Sequence, residues 1–447
     1  MAIATWQERR EDYALQVVPE SYRIWSWPSL FGVLLSVPTA LIYLTLGGTL
    51  VLAYGFQSLL IGMIVTTVFM GSVGYILTRA TARAGLDTDL ISISSGFGYK
   101  GSGVTSFIYA ANFPLFFALE GSIMADAIHA ELPAVPLWIL YVALGIMFMA
   151  LSWYGITIMN YVMWVTLPIY LVLLIWTILR TLSVSSSVDL WTYSPSRPPN
   201  PISGPVLLQI LTASSGFIIN AINSGDIGRM IQGRQRHTAA LAIGFGYEAL
   251  TFLGATLLGA WLAVRLGRSN PGVYIPALIG GWGTVFIVVS QLRINVLNKY
   301  SGSLAFANFF WRIFSFKPGR HVMAVLVIIL SIGLMIFGVL DHLTEVLSFE
   351  GIFTIAWIMA ITAYIAINKW LLGVERQSFY IKKGESPRYN LIGLLSLAAA
   401  LAVSVPLALG AAGPFGRTIA PFISAGIAFT LVSGICLAIW LWRRCWG

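Results

Sequence analysis

The chain has 447 residues, 58% of them hydrophobic and only 10% charged, with a mean hydropathy of +0.84. That composition excludes an ordinary soluble globular protein and points to a polytopic membrane protein embedded in a lipid bilayer. The formal net charge of +9 does not indicate nucleic-acid binding, because the basic residues are scattered between apolar segments rather than gathered in one stripe.

Residues 1–29 read as a soluble, cytoplasmic N-terminal arm without the apolar core and small-residue cleavage site of a signal peptide. A helix needs about 20 apolar residues to cross the hydrocarbon core. By that measure the chain holds about twelve spans, near 30–53, 58–78, 103–125, 136–155, 159–181, 206–224, 239–263, 274–298, 322–340, 350–368, 391–410 and 420–442. A linker at 183–205, rich in Ser and Pro, separates five spans in 30–182 from five in 206–368. A loop at 369–390 and a unit of two further helices and a tail at 391–447 follow.

Basic residues set the orientation. Twenty of the 26 Lys and Arg fall in alternate loops assigned to the inside and five in loops assigned to the outside; Arg293 lies within a span. Both termini are therefore expected to be cytoplasmic, with 183–205 extracytoplasmic, in a multi-pass protein of the inner or plasma membrane. Cys436 and Cys445 have neither metal-ligand spacing nor a disulfide pattern, so no metal site and no cofactor are assigned.

Span 1 carries SVPTALIYLTLGG (36–48) and span 6 carries TASSGFIINAINSGD (212–226). Both are interrupted by small and polar residues at matching places, a pattern that marks transporter sites at repeat interfaces. Pro38 frees backbone carbonyls, and Ser214, Ser215 and Gly216 loosen span 6. An ordinary kinked helix is the plainer reading of either segment alone.

Ionisable side chains within the bilayer cost several kcal/mol and usually mark function. Mid-span candidates are Glu120 in span 3, Glu248 in span 7 and Arg293 in span 8, while Asp126, Asp226 and Lys299 sit nearer span ends. Phe116 precedes Glu120 by one helical turn, so ring and carboxylate share a face that suits a flat molecule with a hydrogen-bonding edge. The plainer reading is a structural Glu that is protonated or paired with Arg293. Glu248 is either a packing residue or a proton acceptor. Arg293 cannot escape burial by losing its proton, so it requires acceptors, such as freed span 1 carbonyls or a carboxylate.

The segment ARAGLDTDLISISSGFGYKGSGVTSF (82–107) resembles the span 2–3 connection of the purine/cytosine permeases and hydantoin transporters, the nucleobase–cation symporter family. Asn223-x-x-Asp226-x-x-Arg229 and Asn298-x-Tyr300-Ser301 are similar to two further motifs of that family. The resemblance covers roughly residues 25–310. It implies an all-α, LeuT-like fold of two inverted five-helix repeats plus two C-terminal helices, working by alternating access around an aromatic heterocycle. It further implies substrate contacts from Phe116, Glu120, Phe217 and Asn298, with Phe116 and Phe217 sandwiching the ligand; Asn220 of span 6 is a further candidate contact. In sodium-coupled relatives, hydroxyl residues five and four positions before the substrate Asn join span 1 carbonyls around the ion. Here those positions are Arg293 and Ile294. Ile offers no oxygen to a hard cation, so Arg293 is expected to replace sodium beside Pro38 and Thr39. A one-turn slip in the alignment would restore a sodium-coupled symporter.

Ionised Glu120 accepts only, whereas a Gln, usual in the family, would donate as well. The expected ligand therefore presents adjacent N–H donors or a positive charge. Burial favours the protonated form of a carboxylate and a nearby Arg the ionised form, so proton coupling through Glu120 or Glu248 and uncoupled transport both stand. The leading function is a secondary transporter of a small planar heterocycle, such as a purine or pyrimidine. A membrane-embedded enzyme using Glu120 and Asp126 as acid and base is the alternative, but no HExxH, clustered His or Gly-x-Ser-x-Gly motif supports it. A receptor or channel is disfavoured by short soluble segments and by the lack of a filter-like repeat. The sequence implies no protein partner.

Overall fold

A computed structural model describes residues 16–151, 155–184, 188–195, 199–316, 319–374, 379 and 386–446. Its regular elements are helices, and an isolated β-bridge joins Trp25 to Ile231. Eight helices in these residues are long and apolar enough to cross a membrane, and Ile42–Tyr54, Leu137–Met149 and His321–Ile336 are shorter apolar helices. In chain order we number α1 (Trp27–Leu34), α2 (Ile42–Tyr54), α3 (Phe56–Ala84), α4 (Thr88–Ser92), α5 (Ser102–Glu131), α6 (Leu137–Leu151), α7 (Gly155–Ser183), α8 (Val206–Ser214) and α9 (Ile219–Gly228). There follow α10 (Gly233–Leu266), α11 (Pro271–Ile279), α12 (Gly281–Phe314), α13 (Arg320–Ile336), α14 (Leu343–Leu371), α15 (Leu391–Ala408) and α16 (Gly413–Trp446).

The interruption expected in span 1 separates α1 from α2. The ring of Pro38 excludes the carbonyl four residues back, which belongs to Leu34, the last residue of α1. Over the following turn the Thr39 hydroxyl donates to the carbonyls of Leu35 and Ser36 at 3.0 and 2.8 Å. Between α8 and α9 the chain tightens to a 3-10 turn, Ser215–Ile218. The Ser214 and Ser215 hydroxyls there donate back to the carbonyls of Ile210 and Thr212 at 2.9 and 2.7 Å, a contact that bends helices. Two π-helical stretches, Ala242–Gly246 and Leu250–Thr256, flank Glu248 within α10.

Helix α2 packs on α10 through glycines that let the backbones touch. A Cβ on Gly47 would lie 1.8 Å from the Thr256 carbonyl oxygen, and one on Gly259 would lie 2.3 Å from Leu44. At the other end of the bundle, residues 18–27 form a strap. Val18 N–H donates to Gly85 O at 2.8 Å, and the Arg23 guanidinium donates to the carbonyls of Val18, Arg83 and Ala84 where α3 ends. The strap continues to the α9–α10 connection, where Gln232 N–H donates to Trp25 O at 3.1 Å and Trp27 N–H donates to Gln235 Oε1 at 3.0 Å.

Two of the basic residues assigned to inner loops are instead buried within α12: Lys299 donates to Phe148 O at 3.0 Å, and Arg312 forms an ion pair with Asp89 at 3.5 Å. Lys369, assigned to the loop at 369–390, is buried in the π-helical end of α14, over the rings of Tyr364 and Phe379. A composition ruler places span ends by hydropathy, and these helices run past that limit. Arg9, Arg10, Arg197, Lys317, Arg376, Lys382 and Lys383, also counted for orientation, lie outside the described residues, as does the start of the N-terminal arm.

Candidate functional site

A small cavity of about 20 Å³, room for little more than a water molecule in this conformation, lies beside both helix interruptions. Glu120 and Phe116 of α5, Asn220 of α9 and Asn298 of α12 all line it, so four of the five expected substrate contacts share one cavity. The turn between α1 and α2 contributes Val37 and Ala40. Tyr43, Phe113 and Asn223 also line the cavity and were not singled out as contacts from the sequence. Tyr43 lies about one turn beyond the Pro38 break, and Asn223 opens the Asn-x-x-Asp motif; those were the available signals.

Glu120 is 1% exposed, and neither carboxyl oxygen completes a hydrogen bond. The Gln291 side chain and the Ile42 backbone N–H sit beside it without bonding geometry. Asn220 Oδ1 accepts from the Tyr43 hydroxyl at 2.9 Å, while its Nδ2 has no partner. Asn298 Nδ2 donates to Asn295 Oδ1 at 3.3 Å. The wall thus offers a carboxyl, amides and a phenol in otherwise apolar surroundings, which is how small-molecule sites orient a ligand.

Phe217 is not across the cavity from Phe116. Their centroids are 5.6 Å apart at 51°, and Phe217 is fully buried behind Phe116 and Tyr43, whose ring lies 4.9 Å from it. A flat ligand between two rings needs them about 7 Å apart, twice a van der Waals contact. The expected sandwich is therefore absent from this arrangement, and the aromatic walls are Tyr43, Phe113 and Phe116. Phe217 sits within the 3-10 turn Ser215–Ile218.

Arg293 is fully buried. Its Nε donates to Thr39 Oγ1 at 3.3 Å and its Nη1 to Thr166 Oγ1 at 3.0 Å. The freed Thr39 carbonyl is taken by the Ser290 hydroxyl at 2.6 Å, so α12 meets the first interruption through two residues one turn apart. No ion pair joins Arg293 to Glu120 among the described residues. Ile294 lines the cavity.

Glu248 is fully buried beside Asn220, behind the cavity wall. Asp126 accepts from Asn270 Nδ2 at 2.8 Å near the end of α5 and does not line the cavity that Glu120 lines. The resemblance motifs form an interhelical lock. Asp226 accepts from Thr88 N–H at 2.8 Å and from the Tyr109 hydroxyl at 2.5 Å, and Arg229 pairs with Asp87 at 2.8 Å. The side chain of Tyr300 lies outside the described residues.

The fold is all-α and LeuT-like, the class to which several solved membrane transporters belong. No protein-family profile and no curated protein matches the sequence. An inward-facing structure of Mhp1 superposes with a TM-score of 0.73 at 14% identity, covering 94% of this chain and 93% of that one. Mhp1 in a closed conformation with bromovinylhydantoin bound, described as a nucleobase-cation-symport-1 family transporter, gives 0.71 at 16% identity over 96% and 95%. A sodium-coupled sialic acid symporter in a substrate-bound outward-open state gives 0.61 at 12% identity over 94% and 90%.

Proposed function

We propose that the chain is a secondary transporter of a small planar heterocycle, related to the nucleobase–cation symporters and working by alternating access in a cell membrane with both termini cytoplasmic. The observation that carries this reading is the convergence of Glu120, Phe116, Asn220 and Asn298 on one cavity beside two interrupted helices. The likeness of fold to a transporter with a substituted hydantoin bound supports a flat, hydrogen-bonding ligand. Glu120 selects a molecule with adjacent N–H donors or a positive charge, Phe116 supplies a face for it, and Asn220 and Asn298 read the remaining edge. Phe217 backs Phe116.

Arg293 stands in place of a sodium ion, beside Pro38 and Thr39, and transport is not sodium-coupled. A coupling proton, where there is one, is carried by Glu120 or Glu248. The test is a thermal-shift screen of purines, pyrimidines and amine-bearing heterocycles, since a ligand that binds only the folded state raises stability. The hit is then followed into proteoliposomes as a labelled compound. Accumulation that depends on the protein supports the carrier. Chemical alteration of the compound, or binding without movement, would rule it out.

A further inference from the structure

A further carboxyl group, half-buried but with its Oε2 out of contact with solvent, lies away from the cavity. Glu350 is in α14, against the 3-10 turn that interrupts span 6. A Cβ on Gly216 would meet Leu347 O at 2.7 Å and Glu350 Oε2 at 2.8 Å, and one on Gly351 would meet Ser215 Oγ at 2.3 Å. The two backbones therefore touch, and Glu350 Oε2 is buried at the seam.

The hydrogens in this cluster can be counted. The Asn112 amide of α5 spends its two on Ile108 O at 2.8 Å and Thr354 Oγ1 at 3.0 Å. The Thr354 hydroxyl spends its one on Glu350 Oε1. Glu350 Oε2 and Asn112 Oδ1 are both buried acceptors left without a donor. Turning the amide over does not help, because it would set Oδ1 against the Ile108 carbonyl. No ion pair includes Glu350 among the described residues; its polar neighbours are Thr354 of its own helix and Asn112 of α5, with Gly216 of the 3-10 turn packed against Oε2, none of them charged or titratable. A carboxylate there is short of one hydrogen, and a proton on Oε2 turns an unmatched acceptor into a donor.

We propose that Glu350 is a proton-binding site whose protonated form holds α14 against the interrupted helix and α5, and whose ionised form loosens that seam. In a carrier such as the one proposed above, this would be a linkage between proton uptake and helix movement outside the substrate cavity, separate from Glu120 and Glu248.

The experiment is hydrogen–deuterium exchange on the purified full chain, from mildly acid to mildly alkaline pH, corrected for the intrinsic pH dependence of exchange. Peptides spanning 210–220 and 343–356 should exchange faster as pH rises through the titration, by about tenfold per pH unit for one linked proton. Glu350→Gln, which keeps the shape and supplies a donor, should flatten that dependence. Thr354→Val, which removes the donor to Oε1, should move the transition to higher pH. Infrared difference spectra should show a protonated carboxyl band at acid pH that Glu350→Gln lacks. Equal slopes in wild type and Glu350→Gln, an unmoved transition in Thr354→Val, or an unchanged carboxyl band would each overturn the proposal. None of these readouts involves transport, so failure to move a heterocycle would sink the carrier reading and leave this result standing.

Discussion

Arg293 Nε donates to Thr39 Oγ1 at 3.3 Å while its Nη1 reaches Thr166 Oγ1 at 3.0 Å, so one guanidinium ties the first helix interruption to α7 and α12. A charge fixed by protein bonds needs no ion from solution. Uptake by the wild type should therefore be unchanged when external sodium is replaced by potassium or a large organic cation. Arg293→Met should lower stability by about 1–3 kcal/mol through the lost charge-assisted bonds, read as a fall in melting temperature. Strong stimulation of the wild type by sodium would contradict this account.

Glu120→Gln tests whether the carboxyl chooses the ligand. A hydrogen bond to a charged group contributes about 1.5–3 kcal/mol, so the variant should bind the preferred donor-rich or cationic heterocycle about 10–150-fold more weakly. Calorimetric titration measures it. Unchanged affinity would remove Glu120 from the binding site.

Tyr43→Phe deletes one hydroxyl and keeps the ring. The bond to Asn220 Oδ1 at 2.9 Å is lost, and an ordinary hydrogen bond is worth about 1 kcal/mol. Ligand affinity should fall about fivefold, with the same loss whichever edge of the ligand faces Glu120.

Gly47→Ala and Gly426→Ala make a matched pair on helices. The first sets a methyl 1.8 Å from Thr256 O, where backbone must move, and the second has nothing within 4 Å. Overpacking of that kind costs about 1–3 kcal/mol or more, so Gly47→Ala should melt several degrees lower or fail to assemble. Gly426→Ala should be neutral or slightly stabilising, by up to about 1 kcal/mol.

The parts of the site legible in the sequence were those that break a local rule. Glu120 and Arg293 stand out as charges in apolar runs, and Pro38 announces its own helix break. Phe217 follows from a residue count along the resemblance, which fixes its helix and not the direction of its ring; the structure sets it behind Phe116 and Tyr43. Glu350 escaped notice for a different reason. A 20-residue ruler puts it at the start of a span, where a carboxylate is unremarkable, whereas α14 begins at Leu343 and sets its Oε2 against the 3-10 turn. Tyr43 carried only a weak signal, its place about one turn beyond Pro38, since an aromatic in an apolar helix is ordinary until the fold shows what it faces.

The strap at residues 18–27 sets a length. It is bonded at one end to the terminus of α3, through Val18 and Arg23, and at the other to the α9–α10 connection, through Trp25 and Trp27. Fewer than ten residues separate these attachments, and each residue spans at most about 3.6 Å when extended. The two anchored ends therefore cannot separate beyond the reach of a short tether unless one anchor is released first. The segment that leads into α1 is thus a limiter of travel, fixing how far the bundle can splay on that side before backbone bonds give way.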